Sequence, residues 1–273
     1  MASSSNNQTW NWKAKDRNNC GLLYEAGNWG DFLKTLWLSV VLRWKSVEAP
    51  EMPTNYFDPF AGAVHYPLGK KTKFRYLQAG LSDLDYLKTP FIDNDLWPSS
   101  ASAAKLLTKG NIEVFDQNQE RRESWSTEAR VSLLTGESGW KLLADRQPAP
   151  NALWLVDPYD VLAEWRNVLS MLVAKAESTT ILLYIYNRSA KSRELFADYR
   201  NFRNALDDLR GDIPKRLGRV AADGFLPHAH HEMLLLPCRR DAENVRFPAL
   251  SEELSKATVS LNVALERSAI FDL

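Results

Sequence analysis

The residue types best suited to chemistry fall in four short turns, each following a β-prone run. Phe57-Asp-Pro-Phe-Ala-Gly-Ala63 places an acid, Asp58, beside Phe60 and small residues that let backbone approach a ligand closely. Asp116 closes the run Asn111–Phe115, where an acid can accept two hydrogen bonds from ribose hydroxyls. Gly136-Glu-Ser-Gly139 offers a backbone amide and Ser138 to an adenine ring. Leu155-Val-Asp-Pro-Tyr159 ends a wholly apolar run in Asp157, Pro158 and Tyr159. Any one turn is weak, because a strand-end acid is often only a helix cap. Their order after successive strands carries the argument. The interval of about fifty residues between the first turn and Asp116 exceeds the roughly 20 of a nicotinamide fingerprint, which points to an insertion or to a nucleotide other than NAD.

Two further clusters need weighing. Pro227-His-Ala-His-His231 reads as a solvated loop leading into a strand at Met233 in preference to a metal site, so no metal is expected. Lys70, Lys71, Lys73 and Arg75 are interleaved with Tyr66, Phe74 and Tyr76, a mixture of phosphate-pairing charge and stacking rings that suits single-stranded RNA or DNA. A plain solvated helix face explains that segment equally well. Among ten tryptophans, exposed ones would mark a protein partner, and Trp10 and Trp12 are expected to dock on the chain's own surface.

The elements that must position these turns alternate. Helices are expected from Asp31 to about Ser46, over Ser99–Thr108, Gln117–Ala129, Trp140–Ala144, Val161–Ala176, Lys191–Leu209 and Leu250–Leu265. Strands are expected at Tyr56–Phe57, Asn111–Phe115, Val131–Leu134, Ala152–Val156, Thr179–Tyr186 and Met233–Leu236. That alternation predicts an α/β fold with a mostly parallel sheet and helices on both faces. Residues 66–98 read as a small helical insertion, residues 1–20 as a flexible polar arm, and residues 21–273 as one Rossmann-like domain.

Composition sets the class. The chain has 273 residues, 45% hydrophobic and 25% charged, enough to bury a core without disulfides. Basic and acidic residues balance at 34 each, so no global field draws it to nucleic acid or membrane. Cys20 and Cys238 match no metal spacing, and a reducing cytoplasm is the expected compartment. No run approaches the roughly 18 apolar residues of a membrane span.

Ala26-Gly-Asn-Trp-Gly-Asp-Phe-Leu-Lys34 resembles the Ala-Gly-Asn-x-x-Asp-x-Leu-Lys opening of the RlmJ-type ribosomal RNA adenine-N6 methyltransferases. The same order continues. Phe57–Ala63 is similar to their first motif, Trp97-Pro-Ser-Ser100 to their Tyr-Pro-Gly-Ser segment, Ser138-Gly139 to their Asp-Gly, and Asp157-Pro-Tyr159 to their Asp-Pro-Pro-Tyr. The resemblance implies a Rossmann-like fold that binds S-adenosylmethionine and methylates adenine N6 in nucleic acid. It implies cofactor contacts from Lys34, Asp58, Phe60, Gly62, Ser100, Asp116, Ser138 and Gly139. Asp157 and the Pro158 carbonyl would accept the two amine N–H bonds, with Tyr159 stacked on the base. Lys34 would pair with the cofactor's methionine carboxylate. The chain departs from the pattern at four places: a proline is missing before Tyr159, Val64 replaces a glycine, Phe60 a polar contact, and Thr35 a histidine. Val64 is expected to resist positive φ and to crowd the ligand. These departures open an alternative: a catalytically inactive homologue acting as a binding or scaffold subunit. A methyltransferase acting on protein or a small molecule is a weaker third reading.

Overall fold

The computed structural model describes residues 15–17, 23–25, 27–158, 165–186, 222–226 and 231–269, with 208 and 211 besides. First along the chain, β1 (Lys15–Arg17) pairs antiparallel with β2 (Leu23–Glu25). Trp10, Trp12, Cys20 and the helix expected at Lys191–Leu209 lie outside the described residues, 208 apart.

A seven-stranded sheet organises the rest. Its parallel strands are β3 (Asn55–Asp58), β6 (Ile112–Val114), β7 (Val131–Leu133), β8 (Ala152–Val156) and β9 (Thr180–Tyr186). β10 (Ala222–Leu226) and β11 (His231–Leu236) complete it as an antiparallel hairpin. The spatial order is β7-β6-β3-β8-β9-β11-β10, with β11 antiparallel to both its neighbours. Counted within the sheet this is 3-2-1-4-5-7-6, a Rossmann-like order with the reversed seventh strand slipped inside the sixth. It is the architecture expected of a methyltransferase fold. Order reverses between β3 and β8, where open α/β sheets bind ligands.

Both sheet faces are covered, which is why the central strands are apolar without alternation. All five residues of β8 are buried. On one face Leu153, Leu155, Leu182, Tyr184, Met233 and Leu235 pack beneath α1 (Trp29–Glu48), α3 (Ser100–Leu107) and the long terminal helix α8 (Phe247–Ala269). On the other, Phe57, Trp154, Val156, Ile181, Leu183, Leu234 and Leu236 meet α5 (Gly139–Asp145) and α6 (Trp165–Ala176). Each fully buried aliphatic or aromatic side chain stabilises by about 1.5–3 kcal/mol, so this double cover fixes the sheet.

α1 begins where Asn28 caps it. The Asn28 side chain accepts from the Gly30 and Asp31 amides, and the Asp31 carboxylate accepts from Gly27 and Asn28. Its far end is tied to the base of the sheet through Lys45, which is 1% exposed and donates to Asp241 at 2.5 Å. Asp241 lies in α7 (Arg239–Ala242) and also accepts from Thr180.

The insertion differs from expectation at its base. α2 (Lys70–Ala79) and 3-10 turns at Ser82–Leu87 and Ile92–Asn94 are helical as expected. The segment is closed, however, by a two-stranded ribbon of β4 (His65–Pro67) and β5 (Leu96–Pro98), too short to show periodicity. The helix expected over Gln117–Ala129 shrinks to α4 (Gln119–Glu123). Ser124 and Trp125 are diverted to the first-motif turn, where Ser124 Oγ accepts from Val64 N and Trp125 Nε1 donates to the Gly62 carbonyl.

Candidate active site

The first turn is built by Asp58. This residue is 1% exposed, with Oδ1 accepting from the Phe60 amide and Oδ2 from the Tyr56 hydroxyl, both at 3.0 Å. Burial raises its carboxyl to about 7, aided by Asp157 and opposed by the Phe60 amide, Tyr56 and Lys34. Positive φ falls on Gly62, at 69°, where a Cβ would stand 2.3 Å from the Tyr66 hydroxyl. Val64 therefore carries no such strain. Its side chain is packed in the core, and the expected strain of a positive φ does not arise there.

Asp116 sits beside that turn. Its Oδ2 accepts from Gly62 N at 3.1 Å and its Oδ1 from Asn118 N at 2.7 Å, with the Arg121 guanidinium 3.7 Å away. Burial raises this carboxyl against the pull of Arg121. The remaining turn amides are also satisfied: Ala61 N by the Phe115 carbonyl, Ala63 N by the Tyr66 hydroxyl, Val64 N by Ser124.

Asp157, at the end of β8, meets Lys34 from α1. Lys34 Nζ lies 2.6 Å from Asp157 Oδ2, 2.9 Å from Asp31 Oδ1, and 4.7 Å from the centre of the Tyr184 ring. Burial pushes the Asp157 carboxyl up while the Lys34 ammonium holds it down, and the first effect prevails. Its side chain is 21% exposed, and Oδ1 meets no donor among the described residues. Asp157 thus has one oxygen anchored and one available. Pro158 is buried behind it, and Tyr159 lies outside the described residues.

Other expected positions are placed differently. Ser138 caps α5, its hydroxyl accepting from Lys141 N at 3.1 Å. A Cβ on Gly139 would meet the Pro59 carbonyl at 2.4 Å and Phe60 at 2.6 Å, so helix and turn are in direct contact there. Phe60 turns to that side and packs edge-on to Trp140, 5.1 Å between centres. Ser100 is the first residue of α3, half-buried, behind Ser99, whose amide donates to the Val64 carbonyl at 3.1 Å. On α2, Lys70 and Lys71 are exposed, Lys73 pairs with Asp95 at 2.6 Å, and Arg75 lies over Trp29. Of the interleaved rings only Phe74 is available for stacking, at 50% exposure. Tyr66 and Tyr76 are buried, with Tyr76 donating to the Leu84 carbonyl.

The structure therefore joins Lys34, Asp58 and Asp157, and separately Gly62 with Asp116 and Phe60 with Gly139. Three participants escaped the sequence reading. Asp31 was legible as the N3 partner of a capping box opened by Asn28. Tyr184, inside an apolar strand, gave no signal. His231 was expected in a solvated loop, yet it opens β11 and is 8% exposed, because pairing with β9 starts there. His228 and His230 lie outside the described residues. Among the described residues no group of three or more His, Cys, Asp or Glu could hold a metal, and no helix is long and apolar enough to cross a membrane.

No protein-family model matches the chain, and no curated protein matches it. Among solved structures it is similar to protein LPL1258 from Legionella pneumophila str. Philadelphia 1, described by the family model DUF519. The TM-score is 0.62 and identity 14%, over 87% of this chain and 94% of that one. At that identity the likeness shows the fold.

Proposed function

We propose that the chain is an S-adenosylmethionine-dependent methyltransferase acting on adenine N6 in nucleic acid, RNA before DNA. The observation that carries this reading is Asp157: a carboxylate at the topological switch, anchored through one oxygen by Lys34 and meeting no donor at the other among the described residues. Adenine N6 is a poor nucleophile because its lone pair delocalises into the ring. An acceptor at Asp157 Oδ1, with the Pro158 carbonyl, would draw on its N–H bonds and localise that pair. The motif order and the fold support the same reading.

The residues also suit the cofactor. Asp31 and Asp157 both hold the Lys34 ammonium and Asp58 lies close enough to feel Asp157 and Lys34, so this cluster of three acids and one base favours a ligand bearing positive charge, as a sulfonium and an α-amine do. Asp116 uses one acceptor site on each oxygen and keeps capacity for ribose hydroxyls. When bound, the cofactor supplies an electrophilic methyl group. Lys34 would hold Asp157 ionised and oriented, and Lys70 and Lys71 would meet phosphates.

One observation favours the second reading, a non-catalytic homologue serving as a binding or scaffold subunit. The first turn is saturated by its own side chains, and Phe60 is packed on Gly139 and Trp140. Radiolabelled methyl transfer to a panel of RNA and DNA decides between them. The enzyme reading predicts incorporation at adenine N6 that Asp157→Asn lowers by about a hundredfold or more. Cofactor binding without incorporation into any nucleic acid would refute the adenine reading, and no binding would leave the scaffold reading in its place.

A further inference from the structure

Tyr184 and His231 lie on neighbouring strands, diagonal across the β9–β11 pairing in which Tyr184 opposes Met233 and His231 opposes Tyr186. They share one hydrogen bond, hydroxyl to Nδ1, at 2.6 Å, and their rings stack 5.9 Å apart at 23°. Both are nearly buried, at 7% and 8% exposure. The first turn of α1 rests directly on them. A Cβ on Gly30 would stand 2.2 Å from the Tyr184 hydroxyl and 2.7 Å from His231 Nδ1, so this contact requires glycine. Lys34 lies one turn further along the same helical face, and its ammonium sits over the Tyr184 ring.

We infer that Tyr184 and His231 are positioning residues that seat the Lys34 ammonium on Asp157. The inference rests on the methyltransferase reading for its catalytic consequence, but not for the seating itself. Asp31 and Asp157 both draw on one ammonium, at 2.9 and 2.6 Å, so the location of Nζ decides which carboxylate it neutralises. The ring face beneath Nζ biases that location toward the end of β8, and the hydrogen bond to His231 keeps the ring from turning. Gly30 sets the height of the helix above the pair. These groups act on Asp157 through Lys34.

Reductive dimethylation of the full chain, read by mass spectrometry at Lys34 relative to exposed Lys70, tests the seating without requiring activity. Tyr184→Leu removes the ring and is expected to raise the labelling rate of Lys34 about tenfold. Tyr184→Phe keeps the ring but frees it, and should raise the rate only a few-fold, as should His231→Leu. The Tyr184→Phe/His231→Leu double variant should match the singles, because the two act as one unit. In methyl transfer the same variants should lower kcat in the same rank order with the cofactor KM unchanged. Wild-type labelling of Lys34 in a folded Tyr184→Leu protein would overturn the inference, as would additive effects in the double variant. If labelling responds and no methyl transfer is found in the wild type, the seating stands and the enzyme reading is what fails.

Discussion

Asp58→Asn gives a sharp test of the electrostatics, because the structure sets both sign and size. The native carboxyl is raised from 3.8 to about 7, while in the unfolded chain it returns to the ordinary value. The native state therefore holds this proton more tightly, and wild-type stability must fall as pH rises from about 4 to about 7, then level off. A difference of about three units at about 1.36 kcal/mol each amounts to about 4 kcal/mol. Asparagine keeps the acceptor for Phe60 N and its amide NH2 can donate to the Tyr56 hydroxyl oxygen, yet it has no charge to bury. At pH 8 the variant should be the more stable by up to about 4 kcal/mol, or roughly 8–16 °C in melting temperature, and the gap should close near pH 4. Urea unfolding of both proteins at pH 4, 6 and 8 measures it. A gap independent of pH, or one that widens toward pH 4, would refute the assignment of a buried, desolvated carboxyl.

Further outcomes follow from particular contacts. Asp241→Ala leaves the buried Lys45 ammonium without its partner and should cost about 3–5 kcal/mol in urea unfolding, whereas Lys45→Met with Asp241→Leu should recover most of that loss. Gly139→Ala drives a Cβ into the Pro59 carbonyl, so it should displace the first turn and weaken S-adenosylmethionine binding about tenfold or more in calorimetry; unchanged affinity would place the cofactor elsewhere. Lys70→Ala with Lys71→Ala should lower RNA affinity at low salt and flatten the slope of log affinity against log salt by about two, read by fluorescence anisotropy. Phe74→Ala should weaken single-stranded RNA binding by about 1–3 kcal/mol if the exposed ring stacks on a base.

What sequence could tell depended on length and repetition of signal. Ala152–Val156 reads as a doubly covered strand because every residue is apolar, and α1 reads as a helix from its long apolar run, although its Asn28 cap did not enter that reading. Those two elements carry Asp157 and Lys34, so half of the site was legible. The hairpin was read only in part, since Ala222-Asp-Gly-Phe-Leu226 carries turn residues inside a strand and only pairing with β11 makes it one. His231 was misplaced for the same reason: its burial comes from pairing with Tyr186 of β9, 45 residues earlier in sequence, and no local pattern records it. Val64 was judged from a motif in which glycine bears the positive φ, but here that duty falls two residues earlier on Gly62. Phe60 and Ser138 were assigned to a cofactor from their place in the order of motifs. Packing against Trp140 and the capping of Lys141 N give each a structural task that spacing does not reveal.

The account turns on whether the charged cluster at the β3–β8 switch of the sheet receives S-adenosylmethionine. Titration calorimetry of the full chain with that cofactor is the direct measurement. One equivalent should bind, with affinity lowered by Asp58→Asn and by Asp157→Asn because each removes negative charge from around a cationic ligand. Absence of any binding heat across temperatures that change the enthalpy, or binding indifferent to both substitutions, would contradict the site described.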